Sequence, residues 1–211
     1  MEDQELEVKF YVANLEFLRL RLLELGAQEV QARTHEMNLR FDTHEGDLTH
    51  KMQVLRLRQD TAARLTYKGP SESKDGVRVR QEIEFTVSDF HAARRLLGEL
   101  GFFVAMIYEK YRQVYELDGV SVTLDEMPYG DFVEIEGPDT ESIRTVNNLL
   151  GLDWDTRIME SYVVLFNRIN MELGLGFRDL IFENFEGVDV SLEALNLKPA
   201  DLLPPAKPPV G

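Results

Sequence analysis

The sequence has no cysteine, only four histidines and few basic residues. The lack of cysteine excludes disulfides, zinc–thiolate sites, iron–sulfur clusters and cysteine nucleophiles. Against 38 acidic residues there are 23 Lys and Arg, which gives a formal net charge of −15 over 211 residues. General binding to a nucleic-acid backbone requires a basic surface, so this charge argues against a nucleic-acid partner.

Long apolar runs are missing as well. The longest, Phe102 to Tyr108, is far shorter than the roughly 20 residues of a membrane span. The chain opens on the acidic stretch Met1 to Glu5, which does not fit the start of a signal peptide. Because 44% of the residues are hydrophobic and 29% are charged, the composition is typical of a globular chain. We therefore expect a soluble, cytoplasmic protein with no membrane partner.

Alternation of apolar and polar residues dominates the first 138 residues and predicts eight strands. The predicted strands are 4–12, 28–42, 53–60, 63–69, 77–87, 102–116, 119–126 and 131–137. Two amphipathic helices interrupt them, the first running from an Asn14 cap to Gly26. The second begins at Ser88 or Asp89 and ends at Gly101.

After Pro138 the apolar spacing becomes helical and predicts helices over 140–150, 160–173 and 189–197. The last residues are rich in proline and cannot form the interior of a helix or strand. These changes predict three regions. They are a β domain over 1–165, a C-terminal helical extension over 166–200 and a proline-rich tail over 201–211.

The two predicted strand–helix units echo one another. A shift of 75 residues places Glu7–Phe10 on Glu82–Phe85 and Gly26 on Gly101. Any two strand–helix units share some of this pattern by chance. We favour a pseudo-symmetric β architecture in which each helix packs outside its half of the sheet.

Charged side chains share one face of several predicted strands. Consecutive strand residues point to opposite faces, so Glu5, Glu7 and Lys9 lie together. The other charged faces carry Arg56 and Arg58, Lys68, Arg80 with Glu82 and Glu84, Lys110 with Arg112, and Glu134 with Glu136. One interpretation is an antiparallel sheet with its charged face in water. The other is a closed eight-stranded barrel with a charged interior and an apolar exterior covered by the helices.

The repetition of this pattern on five strands favours the second interpretation, because exposed faces usually mix Ser, Thr, Gln and Lys. Carboxylates without histidine or thiol neighbours suit Mg²⁺ or Mn²⁺ rather than zinc. Arginine forks match phosphate oxygens. Buried charges must be paired or bind ions, so a charged interior predicts a site for a polyphosphate–metal complex.

The segment Glu5-Leu6-Glu7-Val8-Lys9 resembles the Glu-x-Glu-x-Lys signature of the CYTH superfamily, the triphosphate tunnel metalloenzymes. That superfamily includes class IV adenylate cyclases, thiamine triphosphatases and inorganic triphosphatases. Further similar segments follow in order over about residues 3–165, at Asn38–Thr43, Leu55–Arg58, Thr66–Gly69, Arg80–Glu84, Glu109–Arg112, Leu124–Asp125 and Phe132–Glu136. The signature alone is weak evidence, but the ordered set is specific.

The resemblance implies a mainly β (α+β) fold, an eight-stranded antiparallel β-barrel tunnel with peripheral helices and a C-terminal helical extension. Metal ligands for Mg²⁺ or Mn²⁺ would be Glu5, Glu7, Glu134 and Glu136, supported by Asp125 and by one of Glu82 or Glu84. Triphosphate would bind to Lys9, Arg56, Arg58, Lys68, Arg80, Lys110 and Arg112. The catalytic set would be Glu5, Glu7 and Lys9, with Lys9 either holding charge or transferring a proton.

Two departures from the family pattern bear on function. Characterised cyclases have a His-Phe pair upstream of the first glutamate, and no such pair precedes Glu5 here. Several members also bring a lysine from the C-terminal helix into the tunnel, but no lysine lies between Lys110 and Lys198. Candidate substitutes are Arg157, Arg168 and Arg178.

The expected activity is therefore metal-dependent hydrolysis of a triphosphate-containing small molecule, either inorganic triphosphate or a nucleoside or other organic triphosphate. Class IV adenylate cyclase is the alternative enzyme, and a non-catalytic sensor of polyphosphate or nucleotide is the alternative outside catalysis. The sequence identifies neither the group attached to the triphosphate nor the oligomeric state, for which a homodimer is one option.

Overall fold

Eight antiparallel strands close into a barrel in the computed structural model, which describes residues 4–201. The strands are β1 (Gln4–Val12), β2 (Gln28–Asp42), β3 (Val54–Gln59), β4 (Ala63–Lys74), β5 (Val77–Val87), β6 (Phe103–Leu117), β7 (Val120–Met127) and β8 (Gly130–Glu136). Their order around the barrel is β1-β5-β4-β3-β2-β6-β7-β8, and β8 pairs again with β1. The predicted fold class is confirmed.

Six α-helices accompany the strands within the described residues. They are α1 (Leu15–Glu24), α2 (Asp47–His50), α3 (Phe90–Glu99), α4 (Thr140–Leu150), α5 (Tyr162–Glu172) and α6 (Leu192–Leu195). Asn14 caps α1 as predicted, and Asp89 rather than Ser88 caps α3, because its side chain accepts from the Ala92 amide at 2.9 Å. Within residues 4–201, no helix combines the length and the apolar character needed to cross a membrane.

The barrel carries its apolar residues on the outside. Helices α1 and α4 cover β1, β7 and β8, where Val8, Phe10, Leu18, Leu22 and Ile143 are at most 1% exposed. Helix α3 covers β2 and β3 in a separate cluster. Each large apolar side chain buried in this way contributes about 1.5–3 kcal/mol. The helices cover much of the outer face, although Ile83 and Phe85 on β5 are 43% and 54% exposed, and the charged residues of the strands lie on the inner face.

Strand β4 is longer than predicted. The Gly69-Pro70 pair predicts its end, yet the strand continues to Lys74 after a register shift between Lys68 and Ser71. A bulge of this kind accommodates a proline, which has no N–H to donate to the ladder. Helix α2 was not predicted, because its four residues bury no side chain and so give no apolar period.

The segment after residue 157 completes the barrel wall. Strand β1 pairs with β5 only as far as Glu7, and beyond it the Ile158 amide donates to the Lys9 carbonyl at 2.7 Å. The Leu180 amide likewise donates to the Ile107 carbonyl at 2.9 Å, on the part of β6 that β7 does not reach. The predicted domain boundary at residue 165 falls inside α5, whose buried face packs on the barrel. Of the predicted tail, residues 202–211 lie outside the described residues.

Asp131 provides a test of barrel stability. Burial, together with Glu126 opposite it on β7, raises the pKa of Asp131 to about 6. Since the unfolded carboxyl titrates near 3.8, the folded state loses stability as pH rises from about 4 to 6. We expect Asp131→Asn to raise the free energy of unfolding above pH 6.5 by about 1–2 kcal/mol, after allowance for partial solvent screening. Urea unfolding at pH 4 and pH 7.5 measures this, and an equal gain at both pH values would contradict it.

Candidate active site

The inward faces of the strands enclose a cavity of about 930 Å³. Thirteen of the fourteen predicted site residues line it, namely Glu5, Glu7, Lys9, Arg56, Arg58, Lys68, Arg80, Glu82, Glu84, Lys110, Arg112, Glu134 and Glu136. Asp125, the fourteenth, is fully buried behind the lining. The lining holds ten basic and eight acidic side chains, so the cavity is net basic inside a strongly acidic protein.

Ion pairs between neighbouring strands stabilise the charged side chains of the cavity. Lys68 lies opposite Glu82 in the β4–β5 register, and its Nζ is 2.6 Å from Glu82 and 2.8 Å from Glu5. Arg78 on β5 faces Glu7 on β1, with Nη1 3.2 Å from Oε1. A buried charge without such a partner would cost several kcal/mol.

A second network joins β2, β3 and β5. The guanidinium groups of Arg56 and Arg58 lie 3.2 Å and 3.0 Å from the two oxygens of Glu84. Arg58 also lies 3.4 Å from Glu36, which has no solvent exposure. Burial alone would raise the pKa of Glu36, but Lys110 and the neighbouring arginines lower it to about 2. This carboxylate therefore stays ionised and holds the bases around it.

Asp125 is the centre of a third network. It accepts from Arg112 at 2.7 Å and 2.5 Å, from Lys110 at 3.1 Å and from the Tyr162 hydroxyl at 2.8 Å. Arg112 continues to Glu134 at 2.6 Å. With its oxygens occupied in this way, Asp125 orients two bases of the cavity wall.

Lys9 lies between two groups that stabilise its charge. Its Nζ is 3.1 Å from Glu134 and 4.0 Å from the centre of the Tyr162 ring. The C-terminal segment therefore brings a tyrosine into the tunnel. Of the three arginines proposed as substitutes for the family's lysine, Arg178 lines the cavity, whereas Arg157 donates to the Gly76 carbonyl at 3.1 Å and Arg168 pairs with Glu160.

Three of the predicted metal ligands, Glu5, Glu7 and Glu136, lie close enough for their charges to repel one another. Burial and the neighbouring carboxylates raise the pKa of Glu5 and of Glu7. The same causes raise the pKa of Glu136, at the exposed end of β8, to about 7. Mutual repulsion between oxygen donors fits a divalent cation, which would relieve it. Among residues 4–201, however, no three acidic or histidine side chains already converge into a metal-binding group.

Two arginines in the cavity have no carboxylate partner within residues 4–201. Arg40 has neither an ion pair nor a hydrogen bond there, and Arg80 donates only to the Gly69 carbonyl at 3.4 Å. Burial lowers the pKa of both, and nearby arginines lower it further. Two arginines without a direct carboxylate contact favour an anionic ligand.

Several residues of the cavity were missed by the sequence analysis. Arg40 alternates with Leu39 and Phe41, and Arg78 precedes Arg80 on the same face, so the period-2 pattern could have found both. Tyr108 is buried and its hydroxyl lies 3.3 Å from Arg56. No sequence pattern marks Tyr162. It begins α5, whereas Asp125, the strand residue that its hydroxyl contacts, lies 37 residues earlier in the chain.

Solved structures support the fold. The PH1012 protein from Pyrococcus horikoshii is 27% identical, with a TM-score of 0.63 over 76% of this chain and 98% of that one. A proposed adenylate cyclase from Vibrio parahaemolyticus is 20% identical, with a TM-score of 0.70 over 78% and 98%. A proposed adenylyl cyclase from Hippeastrum, whose dominant activity is that of a triphosphatase, is 21% identical, with a TM-score of 0.58 over 77% and 95%.

Among curated proteins, none matches this sequence. The model of the CYTH domain family matches residues 3–149, which include all eight strands and every predicted site residue. The chain belongs to the CYTH domain family.

Proposed function

We propose that this protein is a divalent-metal-dependent triphosphatase that binds its substrate inside the charged barrel. The observation that carries the proposal is a pair of arginines without an ion pair in residues 4–201, the half-buried Arg40 and the buried Arg80, in a net basic cavity beside an acidic group. A ligand that satisfies both features has several negative oxygens and travels with a cation. A triphosphate complexed with Mg²⁺ or Mn²⁺ has that chemistry.

The basic side chains would bind the phosphate oxygens. Guanidinium groups bind two oxygens at once and stay charged at every working pH. Arg56 and Arg58 are held by Glu84, and Lys110 and Arg112 are held by Asp125, so each pair is positioned before the substrate arrives. This preorganisation lowers the cost of aligning the phosphate chain. Lys9, fixed between Glu134 and Tyr162, would hold a positive charge beside the metal ligands.

The carboxylates of Glu5, Glu7 and Glu136 are the residues that would hold Mg²⁺ or Mn²⁺, with Glu134 as a fourth donor. When bound, such an ion polarises phosphoryl oxygens as a Lewis acid. The chain itself supplies the anionic oxygens and orients the phosphates. Glu82 and Glu84 would serve mainly as partners for Lys68, Arg56 and Arg58.

We rank hydrolysis of the triphosphate above cyclisation as the proposed reaction. The Hippeastrum protein of the same fold has a dominant triphosphatase activity although it was proposed as an adenylyl cyclase. The protein from Vibrio parahaemolyticus is proposed as an adenylate cyclase, so cyclisation is the second candidate reaction.

One incubation separates the candidate functions. The purified protein is mixed with tripolyphosphate, ATP or thiamine triphosphate, each with Mg²⁺ or Mn²⁺. Release of orthophosphate supports the proposed hydrolysis. Cyclic AMP with pyrophosphate would identify a cyclase, and binding without turnover would identify a sensor.

The metal role of Glu136 has a direct test. We expect Glu136→Gln to weaken Mn²⁺ binding at least tenfold, on the order seen when metal-site residues are changed, and to abolish most turnover. The variant keeps the shape of the side chain but removes the anionic oxygen. Isothermal titration with Mn²⁺ measures the affinity, and Glu99→Gln on the exposed surface of α3 provides a control with the same change in net charge. Native affinity and turnover in Glu136→Gln would contradict the assignment.

A further inference from the structure

A second, smaller cavity lies on the outside of the barrel, between α3 and the start of β6. Its volume of about 370 Å³ falls within the range of about 300–1,000 Å³ typical of sites for small organic ligands. Its apolar lining, which we call the side groove, consists of Phe41, Phe102, Phe103, Val104 and Ile107. Of the eight residues that line this cavity, only Phe41 and Arg178 also line the barrel cavity. The side groove is therefore a separate site.

Two local features of the chain open the side groove. The β2–β6 register passes from Arg40 opposite Met106 to Phe41 opposite Val104, so Ala105 forms a bulge at the rim of the barrel. On the other side, α3 has Gly98, where an added side chain would meet no other atom within 4 Å. Glycine destabilises a helix relative to alanine, and here it leaves the groove without a cover.

The charged groups around the side groove are mainly basic. Arg94 and Arg178 line it, and no acidic side chain among residues 4–201 does. Arg94 has neither an ion pair nor a side-chain hydrogen bond in this range, whereas Arg178 pairs with Asp179 at 2.5 Å. Asp179 in turn accepts from the Ile107 amide at 2.8 Å, so it lies beside the groove. The two arginines and this carboxylate leave one net positive charge, which suits a ligand with a single negative charge.

We propose that the side groove binds a small monocarboxylate with an aromatic or branched apolar body. The carboxylate would accept two hydrogen bonds from the Arg94 guanidinium, and the apolar body would pack on the phenylalanine rings. Phe103 is 38% exposed and would lose contact with water when the ligand binds. Inorganic triphosphate has no apolar body, so it does not match the groove. The inference goes beyond the proposed triphosphatase function and does not depend on it.

A titration of the full chain with 3-phenylpropionate, followed by the backbone amide signals in NMR spectra, tests this inference. We expect saturable shifts at Gly98, Val104 and Ile107. The neutral analogue 3-phenylpropanol should bind at least about tenfold more weakly, because it lacks the charge that Arg94 would bind. Absence of saturable shifts, equal affinity for the two compounds, or shifts at Glu7 and Glu136 in the barrel instead of the groove would overturn the inference.

Two pairs of variants locate the site independently. Arg94→Gln should weaken binding of 3-phenylpropionate about tenfold, whereas Arg95→Gln removes the same charge from an exposed neighbour that does not line the groove and should bind like the wild type. Gly98→Leu should fill the groove and abolish binding, whereas Gly98→Ala adds one methyl group and should keep most of the affinity. The same spectra report whether each variant is folded. Equal affinity of Arg94→Gln and Arg95→Gln, or native affinity in folded Gly98→Leu, would contradict the proposed site.

Discussion

Replacing Asp125 by alanine is expected to lower the free energy of unfolding by about 3–5 kcal/mol, because it breaks a buried ion-pair network by removing one partner. The carboxylate has no solvent exposure and accepts from Arg112, Lys110 and Tyr162. Without this carboxylate, the positive charges of Lys110 and Arg112 repel one another more strongly, and the Tyr162 hydroxyl loses its hydrogen-bond acceptor. Equilibrium urea unfolding of Asp125→Ala measures the effect.

The neighbouring residue supplies a control. Glu126 forms an ion pair with Arg33 at 2.6 Å, but half of the Arg33 side chain is exposed. Exposed pairs contribute about 0–1 kcal/mol, and loss of the Glu126 charge also relieves its repulsion of Asp131, so Glu126→Gln should unfold close to the wild type. Asp125→Asn keeps the shape and part of the hydrogen bonding and should fall between the two. Equal stability of Asp125→Ala and Glu126→Gln would show that Asp125 is not the anchor of the network.

The second large effect concerns substrate binding. We expect Arg58→Ala to weaken the binding of tripolyphosphate by about 2–5 kcal/mol, the range for loss of one partner of a buried charged contact. The guanidinium lines the cavity and is held from three sides by Glu36, Asp60 and Glu84, at 3.4 Å, 3.2 Å and 3.0 Å. Its donors are therefore fixed in place before a phosphate arrives. Calorimetric titration with tripolyphosphate gives the change directly.

Arg64→Ala controls for the loss of ion pairs in general. Arg64 also contacts Asp60 and Glu84 but does not line the cavity. Both variants should lose some stability, whereas only Arg58→Ala should lose affinity. Comparable affinity in the two variants would remove Arg58 from the phosphate-binding set.

The strands could be predicted because their outer faces are mainly apolar and their inner faces are mainly charged. Strands β2 and β5 run over the residues that alternation predicts, since charged side chains face the cavity and apolar ones such as Leu39 and Val77 pack in clusters outside the barrel. The end of β4 was wrong because the rule that proline ends a strand does not foresee a bulge. The period shows which residues share a face, but only closure of the barrel decides whether that face meets water or another strand.

The residues of the candidate site could be predicted from the sequence, but their individual roles could not. Alternation brought thirteen residues to one cavity, yet it could not separate bases that hold ligands from carboxylates that hold bases. Asp125 illustrates this limit, because burial behind the lining decides its role and burial depends on Tyr162, far along the chain. Contacts of such separation leave no local pattern in a single sequence.

The closing contacts of the barrel also decide when the protein can fold during its synthesis. The Tyr11 carbonyl accepts from the Ala200 amide at 2.9 Å, and the amides of Ala13 and Asn14 donate to Asp201 at 2.8 Å. At about 5–20 residues per second, roughly 10–40 s pass on the ribosome before β1 meets these partners. Until then the edge of β1 beyond Lys9 is unpaired, and an unpaired strand edge invites association with other chains. A nascent chain of this protein is therefore expected to depend on chaperones until its last helices emerge.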